Sequence, residues 1–137
     1  MIVSQKKQKI VDPCSVGSVI SSIIQSYDEF EQEKEHFYVI GLNNKNVIQY
    51  VDLVSIGTIS ESIVHPREVF RMAIHKGISS IIISHNHPSG DLNPSKEDLN
   101  VTERLKNGGD LLGIKLLDHV IVDNNNNFKS LQEKGHI

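Results

Sequence analysis

The run Ile78 to Ser84, with Ile81-Ile82-Ile83 at its centre, most constrains the fold. It is too short for a stable helix and β-branched through its middle, so it reads as a central strand buried on both faces. Such a strand needs a sheet around it and layers above and below, and the rest of the chain supplies candidates. Val16, Val19, Ile20, Ile23, Ile24 and Tyr27 recur at helical spacing, which predicts an amphipathic helix over 13–28 opening on an Asp12-Pro13 cap. Glu35 to Leu42, the turn Asn43-Asn44-Lys45-Asn46 and the stretch Val47 to Val54 predict a hairpin. The acidic stretch Asp28 to Glu35 between them reads as a solvated turn.

Beyond a loop centred on Gly57, a short strand is expected at Ser62 to Val64. Pro66 then opens a helix with Val69, Phe70, Ala73 and Ile74 on its buried face, and Gly77 closes it. After the central strand and a polar loop, Ser95 begins another helix, expected to run to about Asn107 and stop before Gly108-Gly109. Leu116 to Val122 is a further strand, Asn124 to Asn127 a turn and Phe128 to Ser130 a final edge. The expected fold class is mixed α/β: a single central sheet of five or six strands flanked by two or three helices. Residues 1–30 are expected as an N-terminal extension carrying the amphipathic helix, and 31–137 as the domain proper.

Cys14 is the only cysteine, which excludes an internal disulfide and every zinc site built from several thiolates. Seven histidines are present, so any metal must be held by imidazole and carboxylate. A net charge of −3 argues against sequence-independent binding to nucleic acid, which needs a surplus of Lys and Arg. No apolar run reaches the roughly 18 residues of a membrane helix, and none follows Lys6, Lys7 and Lys9 as a signal sequence would. A cytoplasmic protein with no membrane partner is expected. An exposed edge strand leaves room for a homo-oligomer.

The chemistry is concentrated in His85-Asn86-His87-Pro88-Ser89-Gly90-Asp91-Leu92-Asn93-Pro94-Ser95-Lys96-Glu97-Asp98. A His-x-His pair leaving an extended strand points both imidazoles to one side, and Pro88 favours that conformation for His87. The turns at Pro88-Ser89-Gly90 and Asn93-Pro94 allow Asp98 to come back towards the pair. Two histidines and one carboxylate suit a zinc site that keeps its fourth position for water. Ser95-x-x-Asp98 is equally a helix-capping arrangement, and a His-x-His after a strand can be a plain polar loop edge. Other metal and nucleophile patterns are absent: no His-Glu-x-x-His helix, no Pro-Cys-x-x-Cys, no Gly-rich phosphate loop and no Gly-x-Ser-x-Gly elbow. The letters HNH at 85–87 do not make an HNH nuclease, whose named residues are dispersed through a ββα unit.

The string HNHPSGDLNPSKED resembles the JAMM metalloprotease signature, in which ten residues separate His-x-His from an Asp preceded three positions earlier by Ser. The resemblance is to the RadC-like branch of the JAB/MPN superfamily. It extends to Glu35-His36-Phe37, Gly57-Thr58, His65-Pro66-Arg67-Glu68-Val69-Phe70 and Leu117-Asp118-His119-Val120-Ile121-Val122, covering about 8–137. It implies a cytidine-deaminase-like JAB/MPN architecture and a zinc-dependent hydrolase that cleaves a peptide or isopeptide amide of a protein or peptide substrate. The implied Zn(2+) ligands are His85, His87 and Asp98. Glu35 is the implied general base, ahead of Glu31, Glu33 and Glu68, and Ser95 the implied oxyanion donor. Full-length proteins of this branch resemble a helix-hairpin-helix domain joined to this one. The 34 residues before Glu35 leave no room for that pair beside the predicted helix, so a DNA-repair role is not expected. The alternative is a non-catalytic, DNA-associated binding module that keeps the metal for structure. Asp91 and Glu97 are expected to be solvated. His119 is either a partner of a ligand or a polar residue at a strand end. His36, His65, His75 and His136 are expected as surface or satisfied polar groups, Arg67 as packing or pairing near a helix start, and Cys14 as a small, partly buried residue.

Overall fold

A computed structural model describes residues Met1–Ile137. A six-stranded sheet runs β1-β3-β2-β4-β5-β6. Its strands are β1 (Ile2–Ser4), β2 (His36–Leu42), β3 (Ile48–Ile56), β4 (Ser80–Asn86), β5 (Lys115–Val122) and β6 (Phe128–Ser130). The helices are α1 (Pro13–Gln25), α2 (Glu29–Gln32), α3 (Pro66–Lys76) and α4 (Lys96–Leu112). Every strand pair is antiparallel except β4–β5. Parallel neighbours need a crossover, and α4 provides it.

Alternation along β4 divides the core. Ile81 and Ile83 pack with Phe37, Val39, Val69, Phe70, Val101 and Leu105, the face covered by α3 and α4. Ile82 packs with Tyr38, Ile40, Val16, Ile20 and Ile24, the face covered by α1. The expected buried central strand is therefore β4, and it extends through His85 and Asn86. Helix α1 starts as its sequence indicates, with Pro13 in the first turn and the Asp12 carboxylate accepting from Ser15 N–H at 2.9 Å.

Several local expectations are corrected. Ser62 to Val64 is not a strand but a turn, closed by Ile63 and Val64 N–H groups donating to Ser60 C=O. Helix α4 does not stop at Asn107 but continues through Gly108-Gly109 to Leu112, where Gly113 caps it at φ 74°. The interior glycine is there for close approach, since a Cβ on Gly109 would lie 2.3 Å from Ile114 C=O. Four helices flank the sheet rather than two or three, because the acidic stretch forms the single turn α2, capped by Asp28. Strand β1 was not foreseen; it is three residues long and pairs irregularly with β3. Ile74 is exposed on α3 rather than buried, and Cys14 is exposed on α1. No helix is long and apolar enough to cross a membrane.

Candidate metal centre

The face of β4 that carries Ile81 and Ile83 carries His85 next, and there the apolar layer gives way to polar chemistry. His85 is fully buried and lies against the Phe37 ring, with ring centroids 6.2 Å apart. His87, just past the strand end, meets it with Nε2 to Nε2 at 2.9 Å. Asp98 arrives from the first turn of α4, with Oδ2 3.1 Å from His87 Nε2 and Oδ1 3.3 Å from His85 Nε2. Three potential ligand atoms thus converge on one point.

Surrounding hydrogen bonds fix which ring nitrogens face that point. The Thr102 hydroxyl donates its single hydrogen to Asp98 C=O at 2.7 Å, so its oxygen accepts from His119 Nδ1–H at 2.6 Å. His119 Nε2 then accepts from His85 Nδ1–H at 2.7 Å, which leaves the lone pair of His85 Nε2 directed at the centre. Burial keeps His119 neutral by holding its imidazole well below the usual range, reinforced by His85 beside it. His87 Nδ1–H donates to Asp91 C=O at 2.6 Å, so its Nε2 lone pair is also directed inwards. Two lone pairs and a carboxylate at this spacing repel one another unless a positive charge lies between them.

The donor set fits a metal ion. Ligand atoms on a tetrahedral zinc ion with bonds of about 2.0–2.1 Å sit about 3.3 Å apart, close to the 2.9 Å between the two imidazole nitrogens and the 3.1 Å from His87 Nε2 to Asp98 Oδ2. Without a metal, the same negative surroundings attract protons. Burial pulls His87 down, yet the Asp98 carboxylate, the Asp91 carbonyl and the charge of Glu35 hold it above its ordinary value. Burial would raise Asp98, but the His85 and His87 imidazoles and Ser95 N–H hold it well below the usual carboxylate range.

Ser95 and Asp98 form a complete capping box: Ser95 Oγ accepts from Asp98 N–H at 3.0 Å and Asp98 Oδ2 accepts from Ser95 N–H at 2.9 Å. Capping uses the serine oxygen as an acceptor and leaves its hydrogen free to donate. Ser95 also lines a groove of about 670 Å³ together with His87, Asp98 and Glu35. Glu35 sits at the entry to β2, where its C=O accepts from Gly57 N–H at 2.8 Å and its Oε2 from Ile59 N–H at 3.0 Å. Among its rivals, Glu31 is engaged with Lys34 at 3.1 Å and His36 at 3.0 Å, and Glu68 pairs with Arg67 and Arg71 on α3. Glu33 lies on the exposed rim of the groove.

Of the two readings open for His119, a partner of a ligand and a polar residue at a strand end, the structure takes the first. His119 is no polar strand end but a fully buried link between Thr102 and His85. Its position opposite Ile83 in the parallel β4–β5 register is what brings it there, and only a correct strand pairing could have decided between the two readings. Asp91 is exposed as expected, but its backbone carbonyl orients His87. His36 is buried and satisfied, its Nδ1–H donating to Lys34 C=O at 2.9 Å, while His75 and His136 are exposed.

Fold and site together define a mixed α/β domain with an accessible two-histidine, one-carboxylate centre suited to a metal ion. The chain belongs to the family of RadC-like JAB domains, whose model matches residues 12–136. It is similar to a UPF0758 protein of Staphylococcus epidermidis, 48% identical over 130 residues, covering 95% of this chain and 55% of that protein. A UPF0758 protein of Caldanaerobacter subterraneus subsp. tengcongensis is 56% identical over 103 residues, covering 75% of this chain and 44% of its own. One from Clostridium botulinum is 48% identical over 134 residues, with 98% and 56% covered. The chain thus spans about half the length of the curated relatives it matches.

Proposed function

We propose that this domain is a zinc-dependent hydrolase of the JAMM type that cleaves a peptide or isopeptide amide. The observation that carries the reading is the convergence of His85 Nε2, His87 Nε2 and Asp98 on one point, beside a groove that also holds Glu35. Bound zinc would supply Lewis acidity, making water a better nucleophile near neutral pH and polarising a carbonyl. The chain's own residues do the rest. Glu35 takes a proton from the attacking water as it adds to the carbonyl carbon, then delivers that proton to the amine as the C–N bond breaks. The Ser95 hydroxyl donates to the carbonyl oxygen as negative charge develops there. Buried His119 and the Asp91 carbonyl hold the two imidazoles in the tautomer that binds a cation.

The test is metal content followed by hydrolysis of a panel of fluorogenic peptide and lysine-isopeptide amides. About one zinc per chain is expected, since the centre has a single set of three ligands. Glu35→Gln should retain zinc and lose hydrolysis. Full activity in that variant would remove Glu35 as the base. Zinc retained by a chain that cleaves no amide in the panel would favour a metal that serves structure alone.

A further inference from the structure

The residue between the two histidines makes neither the ligand set nor the apolar core, yet its side chain is fully buried and both ends of it are bonded. Main-chain pairing of β2 with β4 ends at Phe37 opposite His85. Beyond that point the Asn86 side chain takes over. Its Oδ1 accepts from His36 N–H at 2.7 Å and its Nδ2–H donates to Lys34 C=O at 2.9 Å. Those two groups belong to the peptide units on either side of Glu35. One side-chain amide therefore bonds to both peptide planes that flank the proposed base, the second of which Gly57 N–H also holds through Glu35 C=O, from a backbone position between the two proposed ligands.

We infer that Asn86 is a positioning residue that sets where the Glu35 carboxylate stands relative to His85 and His87. The inference rests on the reading of Glu35 as the base. Asparagine suits the task because it offers one acceptor and one donor at the same reach. Aspartate keeps the acceptor and loses the donor, serine is too short to reach both groups, and glutamine is one methylene too long. The energetic logic is that of orientation: an error of about 1 Å in placing a reacting group can cost about a hundredfold in rate.

The Ile59 N–H, which donates to Glu35 Oε2, gives a readout that needs no substrate. In zinc-loaded Asn86→Ala, amide hydrogen exchange at His36 and Ile59 should accelerate by about three- to tenfold, the equivalent of one hydrogen bond. Ile59 should approach its rate in Glu35→Ala, with zinc content and the Val39 and Ile83 amides unchanged. Asn86→Asp, which is isosteric, should keep His36 protected while Ile59 accelerates part of the way. Unchanged exchange at Ile59 in Asn86→Ala would overturn the inference, as would loss of zinc or equal acceleration at Val39 and Ile83. On any amide of the panel that the wild type cleaves, Asn86→Ala should lower kcat by about 10- to 100-fold with KM within about threefold. The double variant Asn86→Ala/Glu35→Gln should be no slower than Glu35→Gln alone; additive losses would overturn the inference. If the wild type cleaves no amide, the hydrolase reading fails while the exchange data still decide whether Asn86 positions Glu35.

Discussion

The two faces of the sheet are built from the same strands and differ in what happens at the strand ends. On the α1 face, Ile82, Tyr38, Ile40, Val16, Ile20 and Ile24 make an apolar layer, and Ser84 answers its own polarity by donating to Val120 C=O at 2.6 Å. On the α3/α4 face, an equally apolar layer of Ile81, Ile83, Val101 and Leu105 is continued by His85, His119, Thr102 and Asp98. Each of those polar groups is buried, and each is bonded to the next. Burial is similar on both sides, so burial alone does not mark the face that carries the candidate metal centre. A chain of polar groups that leaves unshared lone pairs directed at one point does mark it, because such an arrangement costs free energy unless a cation completes it.

If the contrast holds, changes on one face should alter metal binding and changes on the other should alter stability. The largest effect is expected for His87→Ala, which should weaken zinc binding by more than about a hundredfold, beyond what loss of a supporting group causes. A competition titration against a chromophoric chelator would measure it, and near wild-type affinity would dismantle the proposed ligand set. Next, Ile82→Ala on the opposite face should lower unfolding free energy by about 2–5 kcal/mol in urea, with zinc stoichiometry unchanged in the folded protein. Loss of zinc there would mean that the faces are not independent. His119→Phe keeps an aromatic ring at the buried position, somewhat larger than imidazole, and removes the acceptor for His85 Nδ1–H. It should weaken zinc by about 10- to 100-fold while Glu35 keeps its contacts. The smallest effect, taken over a single pH unit, is the pH dependence of loading. With the His87 pKa raised in the metal-free protein, protons compete with zinc below that value, so affinity is greatest above it and falls with decreasing pH. The fall should approach about tenfold per pH unit for one competing proton, followed by calorimetry from pH 8 to 5.5. A flat profile would contradict the His87 assignment.

What could be read from the residue order follows the range of the interactions involved. Asp98 was legible as a partner of His85 and His87 because all three lie on one short segment whose turns are written in proline and glycine. The caps at Asp12 and Ser95 were legible for the same local reason. His119 was legible only as one of two alternatives, since its role depends on β5 lying parallel to β4 in one register. The end of α4 was misjudged because Gly108-Gly109 has the look of a stop, whereas contact with Ile114 and Phe70 makes the small residue a packing requirement. The supposed strand at Ser62 to Val64 has β-branched residues but no neighbouring strand to pair with, and it closes on Ser60 instead. In β1, pairing with β3 decides the conformation of a segment whose own composition is unremarkable.

The single parallel pair in an otherwise antiparallel sheet has a consequence for how the centre assembles. A crossover helix between parallel strands has to begin near the end where the first strand finishes, so the first turn of α4 is delivered to the tip of β4 by connectivity alone. Closing so short a loop carries a small entropic cost, and the His119 and Thr102 supports belong to the same β4–α4–β5 unit. Glu35 has a different pedigree: it comes from a strand entry about fifty residues upstream, tied to β4 by Asn86 and to the loop after β3 by Gly57 and Ile59. The cradle is thus a local object and the base a remote one, so partial opening of the chain would detach the proposed catalyst while leaving the cradle whole.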